Sequence, residues 1–199
     1  MRNRIVSYIA LVLFVLEILL CLVSWLLGAL IPGSGIRSVF GSEGIRWLFG
    51  HHVDVIGTPL LVWILLLSVS YGCFRDSGLA GLLLRLRHMQ YRERIALYSI
   101  AFLLLSYVST MLVLTVIPHA VLLSVTGNLF PSPFSAAFIP IVSFGVCLVS
   151  VVFGIISGRY HSVFAVYHSL FIGVEMAAPL FILYILSVQL YYTFCFVLM

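Results

Sequence analysis

Charge is what this sequence has least of. Only 8% of its 199 residues are Asp, Glu, Lys or Arg; lysine is absent, and ten arginines stand against six acids for a formal charge of +4. A soluble globular domain is about a quarter charged, so the shortage argues against a soluble enzyme, a disordered chain and an ordinary nucleic-acid-binding domain. The four cysteines, Cys21, Cys73, Cys147 and Cys195, lie in or beside apolar runs without CxxC pairing. They read as small buried hydrophobes, not as a disulfide framework or a zinc site. GxxxxGK[ST], GxGxxG, HExxH and GxSxG patterns are also missing, so no familiar spacing supports phosphate, dinucleotide, metal or nucleophile chemistry. The expectation is a protein that is not an enzyme, carries no cofactor or metal and binds no nucleic acid.

What fills the sequence instead is apolar: 63% of residues are hydrophobic and the mean hydropathy is +1.25. No water-soluble core absorbs that surplus, so most of the surface is expected to face a lipid bilayer. The fold class expected is an all-α integral membrane protein, a single domain over 1–199, with five transmembrane helices at about 5–30, 55–74, 95–117, 134–156 and 163–199. The first four runs are close to the ~20 residues that cross a ~30 Å hydrocarbon core. The run 5–30 is too long for a signal-peptide core and reads as an uncleaved anchor. The last run would be about 55 Å long as one straight helix, and Pro179 lies inside it. A proline kinks or breaks a helix, so a kink near Pro179 is expected, or a division into two pieces and six spans.

The arginines orient these spans. Arg2 and Arg4 precede the first; Arg75, Arg85, Arg87, Arg92 and Arg94 fall between the second and third; Arg159 falls between the fourth and fifth. Only Arg37 and Arg46 lie on the other side. The positive-inside rule places the N-terminus in the cytoplasm and, with five spans, the C-terminus outside a bacterial-type inner membrane. This topological reading accounts for the sequence pI near 9.0. Short interfacial helices are expected at about 40–50, with Trp47 at headgroup depth, and at 78–89, where Leu79, Leu82, Leu83 and Leu86 recur at helical spacing beside Arg85, Arg87 and His88.

Ionisable residues inside apolar runs are costly and mark functional candidates. Glu17 sits mid-run in the first span, either as interhelical glue or as a proton or ion site. His161, His168 and Glu175 follow one another at seven-residue steps, nearly two helical turns. His161 is expected at the interface, which leaves His168 and Glu175 as a candidate proton relay or a bundle-facing polar stripe. Small residues on the fourth span, Ser143, Cys147, Ser150, Gly154 and Ser157, recur at three- and four-residue steps and form a candidate packing face. Ser99, Ser106, Ser109 and Thr110 give the third span a thinner version. The segment 118–133, with His119, is expected to be either a re-entrant turn or an outer loop helix. Asp54 reads as a helix-start residue favoured by the dipole.

Ser42-Glu43-Gly44-Ile45-Arg46-Trp47, then Pro59-Leu60, an apolar span and Asp76-Ser77-Gly78-Leu79, resemble the amino-terminal half of the aminobenzoyl-glutamate transporter family. The likeness covers roughly residues 1–150 and is densest over 42–79. It implies an inner-membrane, inverted-repeat dimer moving folate-related or antimicrobial organic anions with cation coupling. Such transporters build the substrate site between two halves, and this chain resembles one. The family's Asn- and Asp-containing polar hairpin corresponds here to 106–115, which has neither residue, so no substrate or cation ligand carries over. The expectation is a non-transporting scaffold or accessory subunit, its partners the lipid bilayer and other membrane proteins or copies of itself. The alternative is a minimal homo-oligomeric, ion-coupled transporter of small organic anions, with Glu17, His168 and Glu175 as its coupling groups.

Overall fold

Apolar runs in a chain this poor in charge can satisfy their backbone only by coiling, and the computed structural model is helical throughout its regular elements. It describes residues 2–30, 37–84, 90–116 and 133–198. The helices are α1 (Arg2–Leu30), α2 (Ser42–Gly50), α3 (His52–Ile56), α4 (Pro59–Asp76), α5 (Leu79–Leu84), α6 (Tyr91–Val116), α7 (Pro133–Ile156) and α8 (Val163–Leu198). No strand occurs among the described residues. Five of these helices, α1, α4, α6, α7 and α8, are long and apolar enough to cross a membrane.

Local chemistry explains where the boundaries depart from expectation. The second span starts at Pro59, not at 55, because a residue preceding proline is driven out of the α region. The short helix α3, whose first turn holds Asp54, stops at Ile56 with Gly57 as its cap; Thr58 stays non-helical before the proline, and Pro59 opens α4, where its missing N–H costs nothing. The third span begins at Tyr91, four residues earlier than expected. There the Gln90 N–H donates to Glu93 Oε2 at 2.9 Å, the returning half of a capping box. The last run is one helix through Pro179, not two pieces: the ring removes one backbone hydrogen bond, and the turns on either side continue. The described part of the expected helix at 78–89 is α5, and two of its leucines turn inward. Leu79 and Leu82 pack with Ala96, Ile100 and Phe153 instead of lying on a lipid surface. Residues 85–89, with Arg85, Arg87 and His88, and the segment 118–133, with His119, lie outside the described residues.

The chain divides into two compact units, Met1–Val62 with Ala177–Met199, and Trp63–Met176. In the first, α1 meets the last turns of α8 through Leu20, Cys21, Phe196 and Val197, with Val39 and Trp47 closing over them. Trp47 stacks on Phe196 with ring centroids 4.6 Å apart. Tyr184 reaches from α8 to the α3–α4 junction, donating to the Ile56 carbonyl at 2.9 Å and sharing a short hydrogen bond with Thr58. The second unit packs by subtraction of side chains. A Cβ on Gly173 of α8 would lie 1.9 Å from the Ser68 carbonyl oxygen of α4, and one on Gly72 would lie 2.4 Å from the Gly173 nitrogen. The two backbones touch, the approach that small residues permit in lipid.

Candidate functional site

The fourth span's small residues turn inward within the second unit. Ser143, Ser150 and Gly154 are buried, and Cys147 places its sulfur 3.5 Å from that of Cys73 on α4, both thiols being free. Two glycines on α7 each receive a tyrosine ring. Gly145 faces the ring of Tyr107 from α6, with 3.0 Å between an added Cβ and Tyr107 Cε1; at Gly154 the corresponding distance to Tyr160 Cε2 is 2.2 Å. The Tyr107 hydroxyl donates to the Ile141 carbonyl at 2.8 Å.

Tyr160 reaches Gly154 because of how α7 ends. Gly158 adopts φ +78°, a left-handed conformation that suits glycine. The Gly158 N–H donates to the Ile155 carbonyl, and the N–H groups of Arg159 and Tyr160 both donate to that of Gly154. This is a Schellman stop, and it folds Tyr160 back against the helix it has just left. Gly78, after α4, also has positive φ and gives room to Arg159, whose Nη1 would stand 2.5 Å from a Cβ there. Ser162 opens α8 by accepting from the Ala165 N–H at 3.2 Å.

These three helix ends enclose a cleft of ≈ 380 Å³ lined by Asp76, Arg159, Tyr160, Phe164, Ala165 and His168. Tyr160 is only 8% exposed, and its hydroxyl has no hydrogen-bond partner. It lies near the Asp76 carboxylate and Ser169 but in hydrogen-bonding geometry with neither. Burial pushes its phenol up to about 12. Asp76 and Arg159 form no ion pair among the described residues. His168 is flanked by Phe164 and Phe171, their ring centroids 6.4 Å and 4.8 Å away.

The candidates read from the sequence are therefore dispersed. His168 lines the cleft; Glu175, two turns along α8, is exposed, and His161 is exposed in the preceding loop. Glu17 belongs to the first unit, on the face α1 turns to α8, near Thr193 and within electrostatic range of His52. Thr193 is 1% exposed and Gln189, one turn before it, 8%; the Thr193 hydroxyl and Gln189 Oε1 are unpartnered. Among the described residues no three His, Cys, Asp or Glu side chains gather as metal ligands. Asp76 and Tyr160 were passed over as site residues, although Gly-Arg-Tyr directly after an apolar run, with Gly four residues earlier, is the local signal for a tyrosine folded back on its own helix.

No known protein family, curated protein or solved structure matches this chain.

Proposed function

We propose that this protein is a non-transporting accessory or scaffold subunit of a bacterial-type inner membrane, N-terminus cytoplasmic, that packs laterally against other membrane proteins. The observation that carries this reading is on α6. Ser106, Ser109 and Thr110 are exposed near the middle of a helix of which only 6% of the membrane-length window is buried. Thr110 turns its hydroxyl back to the Ser106 carbonyl at 2.9 Å, so the edge costs little in lipid while leaving a shallow strip where a second backbone can approach. The small face of α7 is already occupied from within the unit; that of α6 is not. The resemblance to half of an inverted-repeat transporter fits a descendant that kept the bundle and lost the site.

The test is purification in mild detergent, with quantification of co-purifying chains. A different membrane protein in stoichiometric amount, lost in Ser109→Leu while the protein still accumulates in the membrane, supports the proposal. Recovery of this chain alone as a homodimer overturns it. That result would favour the second reading, a minimal ion-coupled transporter of organic anions, which draws support from Glu17 beside the buried Thr193.

A further inference from the structure

The cleft at the ends of α4, α7 and α8 holds a positive and a negative group that do not neutralise each other. Asp76 is the last residue of α4, where the helix dipole disfavours an anion. A carboxylate in that position is best relieved by a cation supplied from outside. Arg159 sits across the same cleft, close to the first turn of α8, where the dipole favours an anion. Beside Asp76 lies the buried Tyr160 hydroxyl, able to donate and to accept but without a hydrogen-bond partner. Leaving such a group unsatisfied costs its full desolvation. The tyrosine that α6 lays against α7 shows that the fold can satisfy one: Tyr107 ends on a carbonyl.

We propose that this cleft binds a zwitterion, its phosphate or carboxylate held by Arg159, its primary ammonium by Asp76, and its polar middle bonded to the Tyr160 hydroxyl. The volume suits a small headgroup, and Phe164 and Ala165 supply an apolar wall. Arg92 approaches Gly158 at the same helix ends, so the site lies at the arginine-rich end of the bundle, the level of lipid headgroups. One chemistry has two sources here: phosphatidylethanolamine, or a free zwitterion such as phosphoethanolamine. Phosphatidylcholine has the same charges but no N–H to give the carboxylate, and phosphatidylglycerol has no cation.

The experiment measures binding to the detergent-purified full chain by native mass spectrometry and by ligand-dependent thermal shift. Its arms are phosphatidylethanolamine, phosphatidylcholine, phosphatidylglycerol and free phosphoethanolamine. Expected is a preference of about tenfold for the primary-amine lipid over the choline lipid, one charge-assisted hydrogen bond's worth. Asp76→Asn should erase that preference, Arg159→Gln should weaken both lipids, and Tyr160→Phe, which keeps the ring on Gly154, should weaken binding about tenfold. Binding of the free compound without the lipid supports the site and identifies its source as soluble. Equal binding of all three lipids, or unchanged affinities in correctly melting Asp76→Asn and Tyr160→Phe proteins, overturns the proposal.

Discussion

α7 receives two tyrosines, and the contrast between them separates architecture from function. Both rings lie over a glycine, Tyr107 on Gly145 and Tyr160 on Gly154. Tyr107 comes from a neighbouring helix and ends its hydroxyl on the Ile141 carbonyl, a donor matched within the bundle. Tyr160 comes from the turn after α7, lines the cleft as a buried residue, and leaves its hydroxyl without a partner in bonding geometry. A packing role asks for the ring alone, and phenylalanine would provide it more cheaply. The hydroxyl of Tyr107 is explained by what it holds inside the protein; that of Tyr160 is explained by something the cleft receives.

The contrast breaks first at the glycines. Gly154→Ala forces a methyl into a buried ring that is fixed by the Schellman turn, and should cost about 3 kcal/mol, the upper range for overpacking. Gly145→Ala meets Tyr107 at 3.0 Å, a contact the ring can relieve by shifting a few tenths of an ångström, and should cost about 1 kcal/mol or less. Thermal unfolding of both variants in one detergent checks the difference. Equal losses would mean that the two rings are equally free to move.

Next comes Tyr107→Phe. It removes the extra donor to the Ile141 carbonyl and should cost about 1 kcal/mol, a usual net hydrogen bond, without touching lipid binding. The same unfolding assay, run beside the native-mass arm, reads both quantities.

The sequence made the bundle readable because the physics of spans is local. A run such as 5–30 marks a helix long and apolar enough to cross a membrane by its length and hydropathy alone, and α1 begins and ends within a few residues of it. The cleft was hidden because each of its polar residues had an adequate explanation at its own position. Arg159 was one more cytoplasmic arginine, Asp76 part of a short family-like turn, and His168 one member of a heptad-spaced row. What joins them is the pair of left-handed glycines, Gly78 and Gly158, which aim three helix ends at one point. That convergence is a long-range fact, and no periodicity reports it. Glu17 was visible as a mid-span acid, but its neighbour Thr193 was not: fixing the register of α1 against a helix so distant in the chain takes the packing of Cys21 on Phe196 and Val197.

High pH gives a smaller and more selective effect. The Tyr160 phenol is raised from its ordinary value of 10.0 to about 12, chiefly by burial. The unfolded chain therefore releases this proton first as pH rises, and the folded state binds more protons between pH 10 and 12. Stability from this group is fully present below pH 10 and is lost as pH climbs toward 12. Tyr160→Phe should flatten that part of the unfolding profile relative to the wild type.

The smallest predicted effect is the most telling. At neutral pH, Tyr160→Phe should change stability by no more than about 0.5 kcal/mol, and in the absence of ligand it should tend to stabilise. The reason is an asymmetry in hydrogen bonding. Removing one partner of a made bond strands the other, whereas removing a buried hydroxyl that had no partner strands nothing and relieves its desolvation. The ring stays on Gly154, so no cavity opens. Adding phosphatidylethanolamine should then reverse the order: the wild type gains stability in proportion to the logarithm of ligand concentration over Kd, and the variant, binding about tenfold more weakly, gains less. Unfolding titrations of the two proteins in parallel should therefore cross. Curves that stay parallel at every lipid concentration would show that the Tyr160 hydroxyl belongs to the bundle's packing, as that of Tyr107 does.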